Sequence, residues 1–186
     1  MTRRALIRID RYTRGAILLH WAIAALVLVN LTIGLLHESL LRGVAGAMPL
    51  HLSIGIAVLA LSLARIGWRL AYRPPPPPIA LSALERRAAA ATHIGFYALL
   101  LILPLTGWML VSGKPTSKPF GWFGLFDVPP LPVTRAVSGV AHQAHGVLGY
   151  AMAALVLLHV AAALRHHFVL RDGVLARMIP VLLPRG

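Results

Sequence analysis

The sequence predicts an all-α fold, an integral membrane four-helix bundle with both termini in the cytoplasm. Three observations predict it: an apolar composition, four long apolar stretches, and a one-sided distribution of cationic residues. Of 186 residues, 58% are hydrophobic and 12% are charged, and the mean hydropathy is +0.77. A soluble domain averages about 45–50% apolar and about 25% charged residues. This composition cannot cover a water-facing surface. The length argues for a single domain, 1–186.

About 20 apolar residues cross a bilayer as a helix, and four stretches meet that length, roughly 15–36, 50–70, 89–111 and 140–164. The first is longer than a signal-peptide core and lacks a clear small-x-small exit, so it is expected to remain as a span. Between the second and third, Pro74–Pro78 reads as a stiff polyproline II spacer. Ser82 with Glu85 three residues later reads as a capping box at the start of the next helix. The segment Gly113–Gly139 carries Phe120, Trp122, Phe123 and Phe126, which fits an interfacial belt or a short re-entrant cover.

Charge then orients the bundle. Arg3, Arg4, Arg8, Arg11 and Arg14 precede the first span. Arg65, Arg69, Arg73, Arg86 and Arg87 flank the second connection, and Arg165, Arg171, Arg177 and Arg185 follow the fourth span. The opposite side holds only Arg42, Lys114, Lys118 and Arg135. Fourteen cations against four place both termini on the cytoplasmic side of the membrane. The net charge of +13 therefore reads as topology and lipid contact, and no nucleic-acid partner is expected.

Nine histidines stand out in so apolar a chain, because ionisable residues at membrane depth are costly and mark function. The sequence has no cysteine, which excludes disulfides, iron–sulfur clusters and thioether-linked haem. Any haem is held non-covalently. His20 and His159 share the cytoplasmic-side depth, and His51 and His145 share the outer-side depth. His145 and His159 lie 14 residues apart, hence on nearly one helical face and roughly 21 Å apart along it. That spacing suits two stacked haem b groups, each ligated by two histidines, a six-coordinate state made for electron transfer. Gly55, Gly146 and Gly149 leave room for a flat macrocycle, or equally for close helix packing. His93 lies at the level of the inner pair, as an alternative ligand or a donor to a propionate or quinone. His142, one turn before His145, competes as the outer ligand. His166, seven residues after His159, and Arg86 and Arg87 are candidates for propionates or a quinone headgroup. The spans contain no Asp or Glu, which argues against a histidine-lined metal-ion transporter.

These residues also carry a resemblance. His20-Trp21, His51-Leu-Ser-Ile-Gly55, His93 with Leu103-Pro104-Leu-Thr-Gly107-Trp108, His145-Gly146, and Leu158-His159 through His166-His167-Phe168 resemble the bacterial cytochrome b561 family. That family is related to the cytochrome b subunit of nickel–iron hydrogenases. The tail Arg171-Asp172-Gly173 to Pro180 is similar to the family's ending. The resemblance implies that His20, His51, His145 and His159 are the axial ligands. It also implies one of two activities: oxidation of superoxide with ubiquinone as acceptor, or electron relay between a partner oxidoreductase and the quinone pool. The extra His142 departs from the pattern and leaves the outer ligand open between it and His145. The purified protein should give a b-type pyridine haemochrome spectrum, with two haems per chain; a spectrum without haem b overturns the assignment.

Overall fold

The computed structural model describes residues 11–76, 82–113, 116–179 and 181. Arg3, Arg4, Arg8, Lys114 and Arg185, counted above for orientation, lie outside these residues, as do Pro77, Pro78 and Pro180. Four long helices dominate: α1 (Arg14–Leu36), α2 (Ala47–Ala71), α3 (Ala83–Ser112) and α4 (Arg135–Arg165). At about 1.5 Å per residue, even the shortest of them exceeds the roughly 30 Å hydrocarbon layer. All four are long and apolar enough to cross a membrane. The chain is thus a multi-pass membrane protein, and four crossings return it to the side on which α1 begins. That side is called here the terminal end.

Each helix start has a local cause. Thr13 caps α1 by accepting from the Ala16 N–H, and Thr134 caps α4 by accepting from Val137. Ser82 and Glu85 form the reciprocal capping box on α3 that their spacing predicted. Because Thr134 starts α4, residues 135–139 are helix rather than part of the aromatic segment. Gly46, at φ +85°, supplies the left-handed residue from which α2 departs.

The helices pair as two hairpins, α1 with α2 and α3 with α4, joined through an α2–α3 contact. Their shared core is thin: Ile23, Ile33, Ile54, Val58, Leu100 and Met152. Outward residues such as Leu18 and Leu157, both 71% exposed, are the lipid-facing surface. Lipid supplies no hydrophobic drive between helices, so small residues let backbones approach. A Cβ on Gly113 would lie 2.2 Å from the Ser138 Cβ and 2.9 Å from the Thr134 carbonyl, at the α3–α4 contact.

The aromatic segment is a two-stranded hairpin, β1 (Phe120–Trp122) with β2 (Phe126–Val128), in the register Trp122 opposite Phe126. Three-residue strands are too short for alternation to betray them. Positive φ at Phe123 and Gly124, with Leu125 N–H bonding the Trp122 carbonyl, makes the tight turn. Buried Ser53 of α2 pins the hairpin at three points. Its hydroxyl accepts from Phe123 N–H and donates to the Gly121 carbonyl, and its own carbonyl accepts from Trp122 Nε1. Trp108 and Ser112 of α3 hold the segment beyond, at Pro129 and Leu131.

Gly113→Ala should destabilise the protein by about 1–3 kcal/mol, the usual overpacking cost. Gly139→Ala, where a Cβ meets open space, should be neutral or stabilising. Thermal unfolding in detergent separates the two, and equal melting temperatures refute the close-contact role of Gly113.

Candidate functional site

The bundle brings four of the nine histidines into two facing pairs. His51 of α2 meets His145 of α4 with ring centres 6.0 Å apart and planes at 83°. His20 of α1 meets His159 of α4 at 6.3 Å, also at 83°. All four rings are half-buried. His142 does not face His51; it is exposed at the rim of the same cavity. His93 of α3 packs beside His159 at 6.4 Å, and Phe96 one turn on meets the same ring edge-on at 5.3 Å.

The His51–His145 pair is seated in two matching notches. His51 Nδ1 bonds the Asn30 carbonyl of α1 at 3.2 Å, and a Cβ on Gly34 would come within 3.0 Å of the His51 ring. His145 Nδ1 bonds the Leu103 carbonyl of α3 at 3.1 Å, with the Thr106 hydroxyl at 3.2 Å, and a Cβ on Gly107 would likewise come within 3.0 Å. In each notch a carbonyl is followed four residues later by glycine. The glycine removes the side chain that would cover that carbonyl, so an imidazole from the neighbouring helix reaches it. Pro104 contributes as well. It has no N–H for the Leu100 carbonyl and loosens the helix beside Leu103. An Nδ1–H given to a carbonyl leaves Nε2 with its lone pair free.

A cavity of about 400 Å³ lies around this pair, lined by Gly55, Gly146 and Gly149 among others. A Cβ on Gly146 or Gly149 would meet nothing within 4 Å, and one on Gly55 only the Asn30 amide at 4.0 Å. These glycines therefore keep volume open. Gly34 and Gly107 play the other part, bringing rings close to backbone. Phe120 of β1 closes the hairpin end of the cavity, and Asn30 Oδ1 is buried at its wall without a partner among the described residues.

At the terminal end the charges nearest the rings are on α2. Arg65 acts on His20, His93 and His159, and Arg69 on His93. Arg86 and Arg87 are exposed on the first turns of α3. His166 begins a π turn, His166–Leu170, that continues α4. Its Nδ1 pairs with Asp172, which also accepts from Val174 N–H, so this ring is tied to the tail. Trp21 Nε1, next to His20, donates to the Met178 carbonyl and holds the tail across the bundle end.

Four apolar crossings around imidazole pairs at two depths define a membrane cytochrome. The chain belongs to the prokaryotic cytochrome b561 family, whose model matches residues 11–181. It is 34% identical to cytochrome b561 homolog 2 of Escherichia coli over 176 residues, 91% of this chain and 92% of the relative. It is 33% identical to cytochrome b562 of Cereibacter sphaeroides over 175 residues, 90% and 94% of the two chains. Over 173 residues it is 30% identical to a protein of Yersinia pestis named a probable superoxide oxidase, CybB, covering 91% and 96%. Members of the family carry haem b and transfer electrons in membranes.

The residues present fit that group. Two imidazoles that share one metal have centres on the order of 6 Å apart, as both pairs do; His93 stands at a similar distance from His159, with the planes at 59° rather than 83°. Among the described residues no three His, Cys, Asp or Glu converge as metal ligands. Sets of two match a macrocycle that supplies the other four donors itself. The notch gives a test: Gly107→Val should weaken haem retention about 10–100-fold, the usual cost of disturbing a ligand's supporting shell. Leu103→Met, which keeps the carbonyl, should retain haem. Transfer of haem to apomyoglobin measures both, and equal retention removes the notch from the account.

Proposed function

We propose that the chain moves electrons across the bacterial inner membrane through two bis-histidine haem b groups, from superoxide outside to ubiquinone. His51 and His145 hold the outer group, and His20 and His159 hold the inner. The single observation that carries this reading is the pair of facing-ring distances, both matched to one metal between two imidazoles, at two depths of one bundle. The positive-inside bias orients it, with the terminal end cytoplasmic and the hairpin end outside.

When bound, haem supplies one-electron chemistry that the side chains cannot. The chain's own residues do the rest. The Asn30 and Leu103 carbonyls fix the tautomer of the outer ligands, and Phe120 with the Ser53-pinned hairpin limits water above them. Arg65 offsets negative charge beside the inner pair. His93, exposed beside His159, is placed to give a proton to a quinone oxygen. Two superoxide anions, one quinone and two protons yield two dioxygen molecules and one quinol, so proton entry at this end is part of the reaction. Among the described residues of the hairpin end, Lys118 and Arg135 form no ion pair and steer an anion, whereas Arg42 is engaged with Glu38 at 3.4 Å.

The isolated protein, given a steady superoxide flux and a soluble ubiquinone, should form quinol and consume superoxide together. His51→Ala should leave one haem of two and abolish the coupled reaction. Haem reduction only by a co-purifying partner protein, with no superoxide consumption, would favour an electron-relay subunit instead.

A further inference from the structure

A second, smaller cavity of about 50 Å³ lies at the terminal end, between the start of α1, the end of α2 and Tyr97 in the middle of α3. Four arginines line it: Arg11 ahead of α1, Arg65 and Arg69 in the last turns of α2, and Arg73 just beyond. Among the described residues no carboxylate lines it. Like charges gathered round so small a space repel, and only an anion among them reverses the sign.

The frame that carries these arginines is pre-formed. Trp68 stacks on Tyr72 with ring centres 4.7 Å apart, and its Nε1 donates to Thr13 Oγ1 at 2.9 Å, tying α2 to the cap of α1. Gly15 makes that tie possible, because a Cβ there would fall 2.3 Å from the Trp68 ring. The Arg69 guanidinium sits over the Tyr97 ring of α3, 5.9 Å from its centre. A guanidinium held over a ring, as Arg69 is, loses little freedom on binding, and the planar forks of arginines match phosphate oxygens.

Size and level identify the ligand. At about 50 Å³ the space takes a group of a handful of heavy atoms, against about 400 Å³ beside His51 and His145. Its tryptophan and tyrosine walls lie where apolar spans give way to headgroups. The phosphate always present at that level belongs to lipid. We propose that this pocket binds the phosphate of an anionic phospholipid headgroup. The site shares Arg65 with the surroundings of His20 and His159, and Arg11 and Arg73, at its other side, are the members to vary.

Native mass spectrometry of the haem-loaded protein in detergent tests it, with phosphatidylglycerol, phosphatidylcholine or inorganic phosphate added. Phosphatidylglycerol should bind in preference to phosphatidylcholine. Arg11→Gln with Arg73→Gln should weaken it about thirtyfold, and Arg73→Gln alone about fivefold, given roughly 1 kcal/mol per cation at an anionic membrane surface. Absorption of the same samples should show unchanged haem. Equal binding by wild type and the double variant overturns the proposal, as does displacement by inorganic phosphate, which would make the pocket a free-anion site. Loss of haem in the variants also overturns it, by assigning the arginines to the cofactor.

Discussion

A ring nitrogen carried into hydrocarbon must find a partner, because no water is there to supply one. That constraint organises this bundle. An imidazole has two nitrogens with different needs. At the hairpin end the protein satisfies one of each pair with a backbone carbonyl and leaves the other free. A helix normally has no carbonyl to spare in its middle. Here α1 and α3 each open one by placing glycine four residues downstream, and the imidazole of the paired helix enters. The two helical hairpins are therefore joined internally by the bonds that orient the rings.

The rest of the molecule follows from keeping that arrangement at two depths. One helix, α4, supplies a ring at each level, so the vertical separation is set by helical rise rather than by loops. The ends are closed differently. At the hairpin end, Ser53 uses its hydroxyl and its carbonyl to fasten two short strands over the cavity. At the terminal end the tail is drawn across by Trp21 and by the His166–Asp172 pair, while Arg165 meets Glu85 at 3.3 Å on the surface. That exposed pair contributes little stability. Its place at the junction of α3 and α4 matches the capping box that Glu85 also completes.

Much of this was legible in the sequence, and the reasons for the rest are physical. Depth and helical phase were enough to sort His20 with His159 and His51 with His145, because rise and period are fixed properties of a helix. Ser82 and Glu85 announced their cap because the interaction is local. Gly34 and Gly107 were not recognised as seats for rings, since their meaning depends on which helix lies opposite. Arg65 was counted only as an inside charge; its approach to the rings depends on how α2 turns toward α1 and α4. The strands of the hairpin left no alternation to read. Seven residues put His166 on the face of His159, but a π turn begins there and its ring pairs with Asp172, six residues on.

The notches also divide the burden of inheritance unevenly. Asn30 and Leu103 serve the outer rings through main-chain oxygens, which every amino acid possesses. Their side chains can drift among relatives without disturbing the contact. Gly34 and Gly107 have less latitude, for a Cβ at either comes within 3.0 Å of the ring and presses on its seat. A lineage that lost either glycine would disturb the seat of one ring while every histidine remained in place. Counting histidines alone would then overstate which descendants keep the rings paired.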